Sequence, residues 1–448
     1  MSGIARVLHE RGTAVTGSDL KTSRYARGLI DAGIDVHIGH AAGQVGDPEV
    51  VVVSSAIPEG NPELVEARER GIEVWPRARM LAHVGKGLKT LAVAGTHGKT
   101  TTSSMLATAF VELGLDPTFL IGGELNEFGG NARCGSGEYY VVEADESDGS
   151  LLYLDPHVSL ITNIEADHLD HYSGLAEVVE TFGEFIARVP EDGYAVVCAD
   201  DDHLHALAAE RCRGEVLTYG LAEDADVRCH DLRAEAAGHR FSVSFPSGET
   251  AEAVIAARGV HNVVNATGVL AAAWSLGIDG QAAADALAHF TGVRRRFEVI
   301  AEVDGVTVVD DYAHHPTEVR ATLTAARAGG FRRVWVVFQP HRYSRTRAFG
   351  SEFGAAFDDA DRVVLMEVYS AGEAPIPGVS GKTVLDALLE HRPHAGAAFF
   401  PHRADVAGYV ADRARPGDLV MTMGAGDVTT MAGEVARALE QRSRGAAT

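Results

Sequence analysis

The sequence of 448 residues has few cysteines and no long apolar segment. Its four cysteines are scattered without a CxxC pair, which argues against a zinc ribbon or disulfide framework and indicates free thiols in a reducing cytosol. No apolar run approaches the roughly 18 residues that a membrane span needs. The opening segment, MSGIARVLHERG, lacks the apolar core of a signal peptide. We therefore expect a cytoplasmic protein without membrane insertion.

Positive charge is also scarce, because 39 lysines and arginines stand against 63 aspartates and glutamates, a net charge of −24 with histidine neutral. A chain this acidic is a poor candidate for binding nucleic acid or an anionic membrane through its overall field. The combination of a strand, a GxGxxG turn and a catalytic donor that a nicotinamide dehydrogenase needs is absent. These absences exclude several function classes and name no activity.

What the sequence does contain is typical of a globular α/β protein. Apolar residues make up 46% and charged residues 23%, and the length predicts about three domains. Short runs rich in valine, isoleucine and leucine alternate with helical stretches, which indicates parallel sheets with crossover helices. The clearest runs are 51–55, 90–95, 139–145, 158–164, 333–338 and 362–368.

Two connectors divide the chain into three predicted domains. The Gly/Lys segment 83–90 precedes the strongest motif, and the segment 297–305 follows an arginine triplet. The predicted domains are therefore residues 1–88, 89–298 and 299–448, and each has an ordinary domain size.

The strongest motif is LAVAGTHGKTTTSS (91–104), a strand and a glycine turn followed by a helix start. Glycines let backbone N–H groups approach phosphate oxygens, Lys99 can reach the terminal phosphates, and the Thr100 hydroxyl can ligate magnesium. The strict P-loop pattern fails because Val93 stands at the position of its first glycine. The alternative is an ordinary strand-to-helix turn with a solvated lysine, but the clean strand and the three threonines favour nucleotide binding.

Carboxylates and histidines follow the next two apolar strands, in EADESD (143–148) and EADHLDHY (165–172). Ligands gather at the carboxyl ends of strands in open α/β sheets, and magnesium prefers oxygen ligands beside phosphates. Glu143 and Asp145 are two apart on a strand and would share one side. A single acidic turn is more often only solvated, and His168 alone would more often be structural. Two such strand ends after a phosphate loop predict a metal–nucleotide site.

Seven motifs occur in the order in which the Mur ligase family carries them, and this resemblance spans essentially the whole chain. They are GTHGKTTT (95–102), EADESD (143–148), TNIEADHLDHY (162–172), HNVVNA (261–266), GVRRRFE (292–298), DDYAHHPTE (310–318) and QPHRYSRT (339–346). The last two resemble the branch that adds L-alanine rather than the branches that add later residues.

The resemblance implies the three-domain Mur ligase architecture. A Rossmann-like domain binding UDP-N-acetylmuramate would come first, followed by a P-loop ATPase-like parallel sheet with a small antiparallel addition from 211–260. A Rossmann-like domain for the amino acid would come last. ATP and magnesium are the implied cofactors, UDP-N-acetylmuramate and L-alanine the implied substrates, and the expected state is a monomer or weak homodimer. The implied reaction joins the two substrates through an acyl phosphate, giving ADP and phosphate, in peptidoglycan synthesis.

The resemblance also implies residue roles, with Lys99, Glu143, His168, Arg295 and Asp311 as the catalytic group. Thr100 and Glu143 would hold one magnesium ion, and His168 would hold or orient a second. ATP would meet Gly95, Thr96, His97, Gly98, Lys99, Thr100, Thr101, Asn262, Asn265, Arg295 and Asp311. The UDP-sugar would meet Ser2, Gly3, Ser18, Asp19, Ser54, Ser55, Asn61 and Arg77. The alanine and acyl-phosphate pocket would contain Tyr312, His314, His341, Arg342 and Arg345.

Several of these residues have a simpler interpretation. The triplet Arg294–Arg296 would usually be a solvated basic patch, but in an acidic chain a cluster beside a domain junction favours an anion. His314 and His341 are each typical of structural histidines as well. Arg342 and Arg345 would cover surface if they did not bind carboxylate or phosphate. The glycine turn GAGD (424–427) is expected to be structural.

The chain departs from the family pattern at two places. Sister ligases often use a carbamylated lysine between their metals, but no lysine lies between Lys99 and Lys382. Family members also begin with a strand and a Gly-rich turn, and here Met1 falls inside the segment that follows them. We therefore expect the first domain to be short at its start, through either a late start assignment or a true loss. Two alternatives stay open: a murein-peptide recycling ligase that joins a preformed tripeptide, and an inactive Mur-like nucleotide-binding protein.

Overall fold

The computed structural model describes residues 1–169, 171–235 and 238–446. The predicted α/β class is confirmed, and all six apolar runs named above contain a strand. Asp170, in the EADHLDHY motif, and residues 236–237, in the expected antiparallel addition, lie outside the described residues. No helix of the described part is long and apolar enough to cross a membrane.

Residues 1–88, all of which are described, form helices around two separate pairs of parallel strands. The helices are α1 (Ser2–Glu10), α2 (Arg24–Asp31), α3 (Pro62–Glu69) and α4 (Arg77–Val84). One pair of strands is β1 (Thr16–Asp19) with β2 (Asp35–Ile38), and the other is β3 (Val50–Val53) with β4 (Glu73–Pro76). Helix α1 packs on the central sheet, because a Cβ at Gly3 would lie 2.8 Å from Leu120 and Ala132.

The central region is built on a ten-stranded sheet in the order β14-β13-β12-β11-β10-β9-β5-β8-β6-β7. Its strands are β5 (Lys89–Ala94), β6 (Thr118–Leu125), β7 (Gly130–Arg133), β8 (Tyr139–Glu143), β9 (Val158–Ile161), β10 (Tyr194–Cys198), β11 (Glu215–Gly220), β12 (Val227–Glu235), β13 (Gly238–Ser244) and β14 (Thr250–Ile255). Its helices are α5 (Lys99–Glu112), α6 (Leu175–Ile186), α7 (Leu204–Arg211), α8 (Val260–Ser275) and α9 (Gly280–Leu287).

The expected antiparallel addition from 211–260 is present, with one difference. Strand β11 runs parallel to β10, and the antiparallel pairing begins only between β12 and β13. The segment therefore extends the parallel sheet by two strands, β11 and β12, before it reverses at β13. Helix α8 crosses this part closely, since a Cβ at Gly268 would lie 2.7 Å from the Tyr219 ring.

The C-terminal region is a six-stranded sheet in the order β15-β16-β20-β17-β18-β19, parallel except for β15. Its strands are β15 (Glu298–Val303), β16 (Val306–Asp311), β17 (Arg333–Phe338), β18 (Arg362–Met366), β19 (Ala397–Phe400) and β20 (Asp418–Met423). Its helices are α10 (Pro316–Ala328), α11 (Tyr343–Phe349), α12 (Phe353–Ala356), α13 (Gly381–His391), α14 (Val406–Arg413) and α15 (Thr429–Ala446). Apolar clusters cover both faces of this sheet, as expected for near-continuous Val/Ile/Leu strands.

Candidate active site

The carboxyl ends of the central strands of both large sheets face one shared cleft. In the central sheet β5 lies between β8 and β9, so the loops after these three strands are neighbours. Two cavities of about 950 and about 710 Å³ fill the cleft. Residues from the phosphate loop, from the acidic strand ends and from the C-terminal sheet line the larger cavity. This juxtaposition is what the strand-end argument predicts for a ligand site.

The phosphate loop has the conformation that its glycines permit. Gly95 has φ +131°, and a Cβ there would lie 2.0 Å from the Thr162 hydroxyl oxygen. Gly98 has φ +83° directly before α5 and faces the Asn265 amide. The loop is fixed to the end of β9 by hydrogen bonds from His97 N–H to the Asn163 side chain (2.9 Å) and from the Thr162 hydroxyl to His97 C=O (2.5 Å). The backbone is therefore shaped for a phosphate at the helix N-terminus.

Lys99 is held inside this loop. Its Nζ donates to the carbonyls of Gly95 (2.6 Å) and Thr96 (3.2 Å) and to Glu146 Oε1 (2.7 Å). The Glu146 side chain is 1% exposed. The predicted phosphate-contacting ammonium thus lies at the phosphate loop, where a buried carboxylate neutralises it.

A set of hard oxygen ligands lies beside the loop. The Thr100 hydroxyl donates to Glu143 Oε1 at 3.0 Å, and Gly122 N–H donates to Glu143 Oε2 at 2.9 Å. His168 lines the same cavity and has φ +53°, a left-handed conformation that is rare for a residue with a side chain. The Thr100 hydroxyl and the Glu143 carboxylate are oxygen donors that fit a magnesium ion in contact with nucleotide phosphates.

The smaller cavity contains the remaining predicted ATP residues. Asn262 and Asn265 share one face of α8 and are joined by a hydrogen bond of 3.3 Å, and Thr101 and Asp311 also line the cavity. Asp311 accepts hydrogen bonds from Phe297 N–H and Ala313 N–H, both 2.8 Å long. Burial nevertheless raises the pKa of Asp311 to about 6, since it outweighs these hydrogen bonds and the charge of Arg296.

The C-terminal sheet supplies the opposite wall of the larger cavity. Tyr312, His314, His341, Arg342 and Arg345 all line it, so the structure brings the predicted amino-acid pocket together. Burial lowers the pKa of His314 to about 3 and the pKa of His341 to about 4, so both imidazoles are neutral at pH 7. Arg342 has φ +66°, a second strained backbone at this site.

An ion pair joins the two walls. Arg345 on α11 donates to Asp167, which follows β9, with distances of 2.9 and 3.0 Å from Nη2 and 3.3 Å from Nε. Both side chains are at least 90% buried, since Arg345 is 10% and Asp167 is 6% exposed. The guanidinium holds the pKa of Asp167 far below its usual range, because its attraction outweighs the cost of burial.

A second contact between the walls involves the histidine of the phosphate loop. The His97 ring lies 3.2 Å from Glu165 Oε2 and 3.6 Å from Glu318 Oε1, and Glu318 belongs to α10 of the C-terminal sheet. Burial lowers the pKa of His97, but its hydrogen bonds to the two carboxylates outweigh burial and raise the pKa to about 9. His97 is therefore a cation that connects the phosphate loop to the C-terminal region.

The arginine triplet meets anionic groups rather than solvent alone. Arg295 has φ +64° and donates to Asp310 Oδ2 (3.1 Å) and to the Gly424 carbonyl (2.7 Å). Arg294 donates to Glu124 at 3.2 Å. Gly424 in the GAGD turn thus helps to position a predicted site residue, in addition to its structural role.

Most of the residues predicted to bind the UDP-sugar do not line the larger cavity. Ser55 lines the larger cavity, whereas the other seven do not. Asn61 caps α3 by accepting from Glu63 N–H and Leu64 N–H. The Ser18 hydroxyl donates to Glu63 Oε2 at 2.6 Å. Their part in sugar binding stays a prediction, and so do the roles of Ser2, Gly3, Asp19, Ser54 and Arg77.

Comparison with known families then decides what kind of protein this is. Residues 1–87 match the family described as "Mur ligase family, catalytic domain", and residues 93–273 match "Mur ligase middle domain". Residues 295–426 match "Mur ligase, glutamate ligase domain". The chain belongs to the Mur ligase family. The resemblance drawn from the seven motifs is thereby confirmed.

Similar Mur ligases cover nearly the whole chain. The UDP-N-acetylmuramate–L-alanine ligase of Rubrobacter xylanophilus is 50% identical over 96% of this chain and 95% of its own. The protein of that name from Acidothermus cellulolyticus is 48% identical over 99% and 94%. The crystal structure of UDP-N-acetylmuramate–alanine ligase from Thermotoga maritima is similar with a TM-score of 0.80, at 28% identity over 99% of this chain and 97% of that one. A murein peptide ligase from Psychrobacter arcticus has a TM-score of 0.72 at 26% identity, over 98% and 96%.

Sequence reasoning missed several residues of this Mur ligase site. Glu146, Asp167 and Glu165 lie in the motifs EADESD and TNIEADHLDHY, and Glu318 ends DDYAHHPTE. These residues belong to recognisable motifs, but the residues that they contact are remote in sequence, as Arg345 is from Asp167. A carboxylate within two or three residues of a predicted site residue is the signal that could have marked them.

Proposed function

We propose that the protein is an ATP-dependent ligase that joins L-alanine to the carboxylate of UDP-N-acetylmuramate and releases ADP and phosphate, in peptidoglycan precursor synthesis. The observation that carries the proposal is one cavity lined at once by the phosphate loop, an oxygen-rich cation site and a cationic C-terminal wall. Full-length relatives with that activity in their names support the choice of substrates. Retention of Lys99, Glu143, His168 and Asp311 disfavours an inactive protein.

Each region would bind one substrate. Residues 1–88 would bind the UDP-sugar, residues 89–298 would bind ATP, and residues 299–448 would bind the amino acid. The adenosine would occupy the smaller cavity, where Asn262, Asn265 and Asp311 meet it. We further propose that the enzyme acts in the cytoplasm as a monomer or weak homodimer.

The proposed reaction has two steps. A carboxylate oxygen of the muramyl group attacks the γ-phosphorus of ATP, the bond from that phosphorus to the β-phosphate oxygen breaks, and ADP leaves. The amine of L-alanine then attacks the acyl-phosphate carbonyl, and phosphate leaves with the carboxylate oxygen that had attacked. The amine loses its proton as the amide bond forms. Because burial lowers the pKa of His314 to about 3 and that of His341 to about 4, their imidazoles are weak bases, better suited to orient the amine than to take its proton. Catalysis consists mainly of positioning and charge neutralisation.

The residues present fit a magnesium ion next to the phosphate loop. Thr100 and Glu143 would hold it, and when bound it neutralises phosphate charge. His168 would hold or orient a second magnesium ion. Lys99 would steady the β/γ-phosphates, and Arg295, fixed by Asp310 and the Gly424 carbonyl, would contact phosphate from the junction. Arg345 and Arg342 would face the acyl phosphate and the alanine carboxylate.

One assay tests this function. Phosphate release from ATP is measured with UDP-N-acetylmuramate while L-alanine, glycine, L-serine or the L-Ala-γ-D-Glu-containing tripeptide is offered in turn. We expect turnover with L-alanine. Turnover with the tripeptide alone would favour the murein-peptide ligase, to which the chain is also similar in structure. Absence of turnover with every acceptor would favour the inactive alternative.

A further inference from the structure

Two histidines and a glutamate meet where the phosphate loop contacts the C-terminal region. One possible ligand atom from each of His97, Glu165 and His315 lies within 4.8 Å of the other two. His97 belongs to the phosphate loop, Glu165 follows β9, and His315 is the N-cap residue of α10. Glu165 Oε2 lies 3.2 Å from His97 Nε2 and 3.8 Å from His315 Nδ1. Ligand atoms of a tetrahedral zinc ion lie about 3.3 Å apart, so the cluster needs only a small adjustment to hold one.

Neighbouring groups already orient the three side chains. His97 Nδ1 faces Glu318 Oε1 at 3.6 Å, and a carboxylate in this position typically orients an imidazole that binds metal through its other nitrogen. The Thr317 hydroxyl donates to Glu165 Oε2 at 2.8 Å. The His315 side chain is 3% exposed, and its ring centroid lies 4.7 Å from that of His97. The three ligands are therefore held close to the geometry that a metal ion would need.

The donor types select the class of metal. Two imidazoles and one carboxylate are typical of zinc with an open fourth position, whereas magnesium prefers oxygen ligands. Burial lowers the pKa of His315 to about 4, so its ring is neutral at pH 7, as metal binding requires. Its Nδ1 accepts a long hydrogen bond of 3.4 Å from Thr317 N–H, which the ion would replace. The His97 ring carries a positive charge between two carboxylates, and the ion would displace its proton to solvent.

We propose that His97, Glu165 and His315 bind a transition-metal ion of the zinc class, which ties the phosphate loop to α10. Because His97 and Glu165 line the smaller cavity, water can reach the ion and complete its coordination. Since one ligand comes from the phosphate loop and another from the start of α10, the bound ion links the two walls of the cleft. None of these residues belongs to the Thr100–Glu143 pair, and the assignment does not depend on the proposed function.

Cobalt serves as the probe, because four-coordinate Co²⁺ absorbs visible light far more strongly than six-coordinate Co²⁺. Wild-type protein, Glu165→Gln and His315→Asn are titrated with Co²⁺ in excess Mg²⁺, which competes for oxygen sites; asparagine retains the ability to cap α10. The matched control is His289→Gln, which removes an exposed histidine 4.0 Å from Glu112. We expect an intense band that saturates at one Co²⁺ per wild-type or control chain and is abolished by Zn²⁺. Both site variants should bind Co²⁺ at least tenfold more weakly.

Absence of such a band in the wild type, or unchanged affinity in both site variants, would overturn the proposal. A measurement on the wild type alone covers the case in which thermal unfolding shows that a variant is not folded. X-ray absorption at the zinc edge, with one equivalent of Zn²⁺, should show two imidazole ligands at about 2.0–2.1 Å. A zinc ion bound by oxygen alone or by one imidazole would contradict the assignment. Neither measurement uses ATP or alanine, so its outcome is independent of the acceptor assay.

Discussion

The ion pair between Asp167 and Arg345 should control how the two walls of the cleft meet. The partners come from different sheets, are at most 10% exposed, and share three N···O contacts of 2.9 to 3.3 Å. Removal of one partner from a buried pair costs about 3–5 kcal/mol, which corresponds to a roughly 150- to 5,000-fold change in an equilibrium or rate. Asp167→Asn preserves the shape of the side chain and removes its charge. The lost free energy should therefore destabilise the arrangement in which the two walls of the cleft are in contact.

The assay is a double-mutant cycle in kcat/KM for L-alanine, with Asp167→Asn, Arg345→Met and the double variant. Each single variant should lose at least about 100-fold, and the coupling energy should be about 2 kcal/mol or more, as for other close charge pairs. Because Arg345 is also proposed to contact the acyl phosphate, the coupling energy rather than either single loss is the decisive quantity. Losses that add to within about 0.5 kcal/mol would refute the ion pair as a link between the walls.

Three further predictions concern the phosphate loop and the metals. Gly95→Ala should weaken ATP binding more than tenfold in a calorimetric titration, because its Cβ would lie 2.0 Å from the Thr162 hydroxyl. The control is Gly114→Ala, where φ is also positive (+74°) but the Cβ would meet no atom within 4 Å, so ATP binding should not weaken. The pKa of His97 is raised from 6.5 to about 9, so the charged imidazole stabilises the folded protein fully below pH 6.5, and this stabilisation is lost as pH rises through 9. The free energies of unfolding of wild type and His97→Gln, measured in urea, should therefore differ by up to about 3 kcal/mol near pH 6 and converge near pH 10. Removal of bicarbonate should leave turnover unchanged, since no lysine between Lys99 and Lys382 can be carbamylated.

The parts of the site that lie within one segment could be predicted from the sequence. The turn of the phosphate loop depends on Gly95 and Gly98, and the facing amides of Asn262 and Asn265 follow from their spacing on one helix. The gathering of the acidic strand ends follows from the parallel order in which β5 lies between its neighbours. Local pattern and sheet topology together therefore predict the cleft in which these residues meet.

The contacts across the cleft could not be predicted, because they depend on how two sheets face each other. Asp167 meets a side chain that lies 178 residues away in sequence, and the His97 ring lies 3.6 Å from Glu318 of α10. No periodic pattern in the sequence predicts a contact between two such distant residues. The role of Asn61 could not be predicted for a different reason. The residue type alone does not distinguish an asparagine that binds a sugar from one that caps a helix.

The central claim is that the muramyl carboxylate is activated as an acyl phosphate and then captured by L-alanine. Its most direct test uses UDP-N-acetylmuramate with oxygen-18 at both oxygens of the lactyl carboxylate, incubated with ATP, L-alanine and the enzyme. Mass spectrometry of the released phosphate should show one oxygen-18 atom for each amide bond formed. Unlabelled phosphate alongside newly formed amide would contradict the account.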